Sequence, residues 1–191
     1  MATFLNLQNN IENGYLLRTD LTQYVQDAIN RAIAKYSKER LWFVESQFDW
    51  VTTQGQWSYA VPTIPDDIRQ IDWLRIQVNN VYYHVIVRDA QFIFMANVNN
   101  NQGQPTDWAW YQEQIYFYPV PNKSYPITLY YQKTYAPLVN PTDNNDWTNN
   151  LEAQDLIEKD ALAWLYSMVI LDTDKTAQYK QEAKEARKSS L

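Results

Sequence analysis

The chain of 191 residues has no cysteine, one histidine and 3 glycines, where average glycine usage of about 7% would give about 13. The absence of cysteine excludes disulfide bonds, thiolate catalysis and cysteine-ligated metals. A single histidine, His84, removes most zinc sites and every His-dependent catalytic triad unless His84 itself serves. Three glycines cannot build a phosphate-binding loop or a dinucleotide-binding turn. Residues other than glycine must therefore make the tight turns.

Basic residues are scarce before the C-terminal segment. The net charge is -6, and residues 175–191 contribute +3, so the preceding residues sum to -9. Non-specific DNA binding depends on Lys and Arg at phosphates, so this acidic body predicts that DNA is not bound tightly and could pass an acidic opening without adhering. The basic segment could dock on an acidic protein surface, or could be a solvated helix end whose cations complement the helix dipole.

Long hydrophobic runs are also missing. No apolar run reaches 18 residues, which predicts no membrane span, and the first residues lack the charge and apolar stretch of a secretion signal. A hydrophobic fraction of 46% nevertheless excludes a fully disordered chain. What the chain has in abundance is 29 aromatic residues, 17 Asn and 17 Gln.

Hydrophobic periodicity places helices at both ends of the chain and strands between them. Helical spacing predicts four helices, the second opened by a capping box of Asp20 and Gln23. Their approximate ranges are Thr3–Leu16, Leu21–Trp42, Leu151–Leu171 and Lys175–Lys188. Alternating residues between them predict about six short strands, including one hairpin around Gly55 and another with Asn79-Asn80 as its turn.

This order predicts an α+β fold. The terminal helices are expected to form a three- to four-helix bundle, with a mainly antiparallel β lobe inserted between them. The predicted domains are residues 1–44 plus 147–191 for the helices and residues 45–146 for the β lobe.

No set of residues has the pattern of a catalytic or metal site. Asp66-Asp67 follows Pro65 on a turn, where helix capping or solvation explains the carboxylates better than catalysis. The segment Asp143–Asp146 lacks the glycine and distant Glu of a calcium loop, so a turn with a helix cap is predicted. His84 is expected on a strand surface or satisfied in the core. We predict no enzymatic activity and no cofactor, with a hydrolase using unrecognised buried carboxylates as a remaining alternative.

The aromatic residues are the remaining candidates for a functional role. Trp and Tyr are favoured at protein interfaces because a rigid apolar ring with one polar atom tolerates both burial and exposure. Trp108 and Trp110, beside an Asn- and Gln-rich loop, are the predicted contact surface. An aromatic platform for a sugar would have the same pattern, so a carbohydrate-binding module remains a second interpretation.

Several segments taken in order resemble one family of phage proteins. They are Leu21 to Ile33 with Arg40-Leu41-Trp42, the hairpin Thr53-x-Gly55-x-x-x-Tyr59-x-x-Pro62 with Pro65-Asp66-Asp67, Gly103-x-Pro105, Ile115 to Pro121 with Tyr125 to Tyr131, and Trp147 leading into a helical hairpin with a basic end. This order resembles the head-to-tail adaptor proteins of tailed phages, the connector or tail-tubular-A-like family. The chain departs from the family pattern in the Asn-rich loop at 97–104, which is consistent with an insertion.

The resemblance implies a structural virion protein rather than an enzyme. It implies a homo-oligomeric ring of twelve subunits that sits below the portal, contacts the tail nozzle or tail tube, and lets DNA pass during ejection. In such adaptors the helical lobe faces the portal and the β lobe the tail. Transferred residue by residue, Lys184, Arg187 and Lys188 become the candidate portal-docking group, and Trp108 and Trp110 the candidate intersubunit or tail contact. A tail-associated binding protein is the further alternative.

Overall fold

A computed structural model describes residues 2–189, and their contacts divide the chain into two compact units. One unit combines the segments before Glu45 and after Thr134, and the other is the continuous segment Glu45–Thr134. The first is helical and the second is built mainly of strands. The fold class is therefore α+β, as the sequence predicts.

The helical unit contains five of the six α-helices in the described part of the chain. Its helices are α1 (Phe4–Asn9), α2 (Thr22–Tyr36), α4 (Asp146–Asn149), α5 (Leu151–Leu165) and α6 (Thr173–Ser189), while α3 (Ala90–Ala96) belongs to the other unit. π-Helical turns continue α1 over Asn10–Leu16 and α5 over Tyr166–Ile170. Helix α5 contacts both α2 and α6.

The start of α2 differs from the prediction. Asp20 does not cap the helix, because its carboxylate pairs with Arg18 at 2.6 Å. The N-cap position is Leu21, whose side chain makes no capping hydrogen bond. The apolar stripe is as predicted, and it buries Val25, Ala28, Ile29, Ala32, Ile33 and Tyr36. Burial of this stripe, rather than a polar cap, therefore fixes the helix in place.

Nine strands are present among the described residues, more than the six predicted, because three of them are only two residues long. They are β1 (Glu45–Val51), β2 (Ser58–Tyr59), β3 (Ile68–Val78), β4 (Val81–Val87), β5 (Gln102–Gly103), β6 (Asp107–Tyr111), β7 (Gln114–Tyr118), β8 (Val120–Pro121) and β9 (Pro126–Lys133). Seven of them form one sheet in the order β1-β9-β3-β4-β6-β7-β2, and β5 pairs with β8.

The sheet is mixed, because β4 and β6 run parallel while its other neighbouring strands are antiparallel. It curls around one core: Trp50 on β1 lies 6.4 Å from Phe117 on β7, measured between ring centroids, although four strands separate β1 from β7 in the sheet. Tyr59, Leu74, Ile76, Val85 and Leu129 are among the residues buried with them.

Asparagine makes the β3–β4 turn, as the sequence predicts. Asn79 and Asn80 have φ angles of 50° and 63°, in the left-handed region that Asn tolerates better than other non-glycine residues. Gln112 and Glu113 adopt similar angles between β6 and β7. The hairpin predicted around Gly55 does not form, because β1 pairs with β9 and β2 pairs with β7.

Candidate interaction surfaces

The basic C-terminal residues lie on the exposed side of α6. The opposite side of the helix buries Ala183 and Ala186, while Lys184, Arg187 and Lys188 are exposed. Arg187 forms an ion pair with Glu39 from the segment after α2. Within residues 2–189, Lys184 and Lys188 have no carboxylate partner. These two lysines, one helical turn apart, are therefore cations available to another molecule.

The two predicted interface tryptophans differ in their surroundings. Trp108 is 2% exposed, and its indole Nε1 donates to the carbonyl oxygen of Val85 at 3.1 Å. It is a core residue of the β unit, contrary to its selection as a surface residue, because its side chain points into the curl of the sheet. Trp110 is half-buried and packs against the same core, opposite Ile115 on β7. Only Trp110 keeps a surface that another molecule can reach.

A cluster of aromatic side chains on the open face of β9, β3 and β4 was not singled out from the sequence. Trp73 and Tyr130 stack with their ring centroids 3.8 Å apart and their planes 8° from parallel. His84 stacks near Trp73, with ring centroids 6.3 Å apart. The guanidinium of Arg75 lies 4.3 Å from the centroid of the Tyr82 ring and 5.3 Å from that of Tyr130. We call these five residues the aromatic face.

Arg75 has an unusual position within the aromatic face. Its Nε is buried without a hydrogen-bond partner, and no carboxylate among residues 2–189 pairs with its guanidinium. Two tyrosine rings provide cation–π stabilisation, and the buried Nε–H has no acceptor among residues 2–189. An acidic or carbonyl group from another molecule would complete this site.

Strand β4 exposes apolar side chains on both of its faces. Five of its seven residues are large hydrophobics between 47% and 62% exposed, namely Val81, Tyr82, Tyr83, Ile86 and Val87. Only Val85 is buried. The sequence indicates this surface, because β4 does not alternate between apolar and polar residues as a strand with one solvent-exposed face does. Such a pattern predicts burial on both sides, which the isolated subunit does not provide.

The carboxylates have structural roles. Asp143 accepts backbone hydrogen bonds from Val139 and Asn140, both at 2.8 Å, and these bonds lower the pKa of its carboxyl group. Asn145, rather than Asp146 or Thr148, caps α4. Asp67 accepts a hydrogen bond from the Tyr131 hydroxyl at 3.2 Å. The predicted turn and cap at 143–146 are thus present, with a different capping residue.

His84 lies on the exposed surface of β4, which is one of the two positions predicted for it. Across the part of the chain that the structure covers, no three His, Asp or Glu side chains are grouped as metal ligands. The same residues include no helix both long and apolar enough to cross a membrane.

The fold and these surfaces define a class: an α+β protein whose distinctive groups are exposed cations, an uncovered apolar strand and an aromatic face. Comparison with protein-family models identifies the family within this class. The model of the SU10 adaptor protein family matches residues 2–190, and the chain belongs to this family of phage head-to-tail adaptors. It is therefore a phage adaptor protein and a component of the virion. No curated protein matches the chain.

Proposed function

We propose that this protein joins the portal to the tail as the subunit of a homo-oligomeric ring of twelve copies. The observation that carries the proposal is the match to an adaptor family across nearly the whole chain. The uncovered apolar residues of β4 support it, because a large exposed apolar patch marks a surface that is buried in an assembly. Adaptors of this class are structural proteins, and the proposed role requires no enzymatic step.

In this proposal the two units contact different partners. The terminal helices pack as a bundle that faces the portal, and the β unit faces the tail nozzle or tube, where Trp110 contributes to the contact. The division rests on the position of the unpaired cations, Lys184 and Lys188, in the helical unit. Two exposed lysines favour an acidic surface on the portal, since complementary charge steers association and fixes its register.

DNA passes through the proposed ring during ejection without tight or sequence-specific binding. The residues before Lys175 sum to a charge of -9, which disfavours adhesion to phosphates. Lys184 and Lys188 are assigned to the portal contact in this proposal rather than to DNA.

Sugar binding, the alternative that the sequence left open, is less well supported. A sugar needs an uncovered ring face on which to stack. In the aromatic face, Trp73 lies on β3 between Tyr130 on β9 and His84 on β4, and it stacks with both. Tyr130 thus covers one face of the Trp73 ring, and Trp108, one of the two rings predicted as a sugar platform, is buried.

The portal contact can be tested with the double variant Lys184→Gln with Lys188→Gln. Because an exposed ion pair contributes up to about 1 kcal/mol, we expect the loss of both lysines to weaken portal binding about tenfold. The variant should remain folded, since both side chains are exposed. Binding of the adaptor to purified portal, followed by light scattering and native mass spectrometry, measures the affinity and the copy number.

The matched control is Lys123→Glu, which lowers the net charge by the same amount at an exposed lysine of the β unit. It should bind portal like the parent protein. Equal weakening by both variants would mean that net charge, rather than α6, determines binding. A protein that binds glycans and never associates with portal would overturn the adaptor proposal itself.

A further inference from the structure

Part of strand β4 has a backbone edge without a strand partner. Residues 81–85 pair with β3 on one side, whereas β6 pairs on the other side only with Ile86 and Val87. The amides of Ile86 and Arg88 donate to the carbonyls of Thr106 and Trp108 on that side, both at 2.8 Å. Backbone groups alternate in direction along a strand, so Tyr82 and His84 direct their N–H and C=O groups to the same edge. In the described chain no strand lies there.

This edge lacks the usual protection against strand addition. Exposed edges in soluble proteins generally carry charged residues, proline or a bulge that prevents another strand from pairing. Residues 81–87 include no charged side chain, and most of them are exposed and apolar. An open, apolar, uncharged edge is suited to receive a strand, which would satisfy its backbone groups and cover its side chains.

The same sheet ends in a second open strand, β1. Strand β1 pairs with β9 alone, over all seven of its residues. The Thr52 amide donates to the Tyr125 carbonyl at 2.9 Å on the β9 side, so alternation directs the backbone groups of Gln47 and Asp49 away from β9. The other terminal strand, β2, has only two residues. Strand β1 is therefore the edge of this sheet that is long enough to pair with residues 81–85.

The open face of the sheet carries a carboxylate and a guanidinium that lack ion-pair partners, Asp49 on β1 and Arg75 on β3. Asp49 accepts a hydrogen bond from Gln47 and has no cationic partner among residues 2–189. Arg75 has no anionic partner there either. Register places both on the open face of the sheet, since Asp49 and Arg75 each lie opposite Thr128. Within one chain, Asp49 lies on the far side of β9 from Arg75. Joining β1 of a second copy to β4 adds a second unpaired carboxylate to this face, on the β4 side of Arg75.

The two edges lie on different strands, so a contact between them is heterologous. Heterologous contacts between identical chains build rings when the rotation closes, whereas a contact of one surface with itself stops at a dimer. A β1-to-β4 contact is thus the kind of contact that a ring requires.

We propose that in the assembled ring the open edge of β4 is completed by strand β1 of a second copy of this chain. The sheet then continues from subunit to subunit, with Asp49 of one copy close to the aromatic face of the next. This inference rests on the proposed ring and adds the surface that closes it.

Hydrogen–deuterium exchange on the full-length chain tests the pairing directly. The amides of Tyr82 and His84 should exchange at least about tenfold more slowly in portal-bound rings than in the free subunit, because they acquire hydrogen-bond partners. Peptides covering residues 45–51 should show the same protection. Protection of β4 only after a tail protein is added would overturn the assignment to a second copy.

The variant His84→Pro tests the same edge by mutation. It removes an amide that the subunit does not use, and proline is tolerated on the outward side of an edge strand, so the subunit should stay folded. Ring assembly should weaken by about tenfold or more, since one backbone hydrogen bond is lost and the proline ring obstructs the incoming strand. Tyr82→Lys should act in the same direction by placing a charge on the edge.

Val139→Lys is the matched control, because Val139 is an exposed apolar residue of the helical unit and undergoes the same type of change. It should assemble normally. Rings that form with unprotected β4 amides and are insensitive to His84→Pro would overturn this inference and leave the ring intact. If portal binds single subunits and no ring forms, the proposed ring fails and the inference fails with it.

Discussion

At the scale of single residues, Glu158 is a buried carboxylate whose surroundings disfavour its charge. It lies on α5, is 7% exposed and accepts a hydrogen bond from Asn10 Nδ2 at 2.9 Å. Burial raises the pKa of its carboxyl group, and the charge of Asp155 raises it further, while Asn10 and Lys159 act in the opposite direction. The folded protein therefore favours the protonated form more than the unfolded chain does.

This shift predicts how stability depends on pH. Between the ordinary pKa of Glu and the raised value, the folded state holds a proton that the unfolded state has lost, so the contribution of Glu158 to stability falls as pH rises through that window. Glu158→Gln keeps an acceptor for Asn10 and removes the charge. The variant should thus gain stability relative to the parent on going from pH 4 to pH 7, by about 1.4 kcal/mol per unit of raised pKa.

Urea unfolding at several pH values measures this difference. Glu185→Gln, on the exposed surface of α6, is the control, and its difference from the parent should be small throughout. A gain for Glu158→Gln that does not depend on pH would mean that packing, rather than charge, distinguishes the two side chains.

Single residues also show where sequence reasoning stops. Trp108 and Trp110 lie two positions apart on β6 and therefore point to the same face of the sheet, yet Trp108 is buried and Trp110 is only half-buried. The depth of each depends on how the sheet curls, which distant strands determine. Trp73 and Arg75 were missed for the same reason, because their aromatic neighbour Tyr130 lies 57 and 55 positions further along the chain.

At the scale of secondary structure, asparagine caps are a distinctive feature of this chain. Asn150 caps α5, and its Oδ1 accepts hydrogen bonds from the amides of Glu152 and Ala153 at 2.9 and 3.1 Å. Asn150→Ala should lower the free energy of unfolding by about 1 kcal/mol, because both amides lose their partner. Asn150→Asp keeps an acceptor and should cost little.

The control for the cap is Asn149→Ala, which changes the neighbouring exposed Asn at the end of α4. Thermal and urea unfolding followed by circular dichroism give the comparison. If Asn149→Ala and Asn150→Ala were equally destabilising, the cap would not be the cause.

The elements that were predicted best from the sequence are those whose contacts join residues close together in the chain. The helical stripe of α2 and the β3–β4 turn at Asn79-Asn80 depend on residues a few positions apart, and both are confirmed. The hairpin around Gly55 was wrong because β1 instead pairs with β9, whose residues lie 75 or more positions further along the chain. Short-range patterns cannot choose between a near partner and a distant one.

At the scale of the whole chain, each unit has its own hydrophobic core. Thirteen buried residues form the core of the β unit, and a separate cluster that includes Leu7, Ile29 and Trp147 forms that of the helical unit. The β unit also begins and ends on neighbouring strands, since Glu45 on β1 lies opposite Gln132 on β9. Adjacent chain ends and an independent core are typical of an inserted domain that can fold alone.

Two fragments test where that domain ends. The sequence placed the boundary after Asp146, whereas contacts group residues 135–146 with the helical unit. There Leu138 is buried, and its backbone N–H and C=O both bond to the side chain of Asn30, at 2.8 and 2.9 Å.

A fragment of residues 45–134 should therefore unfold cooperatively in urea, with near-ultraviolet dichroism from its packed tryptophans. Extending it to residue 146 should change its stability by no more than about 0.5 kcal/mol, because the added residues leave their packing partners behind. Folding of the longer fragment alone would place the boundary at 146 and assign the segment 135–146 to the β unit.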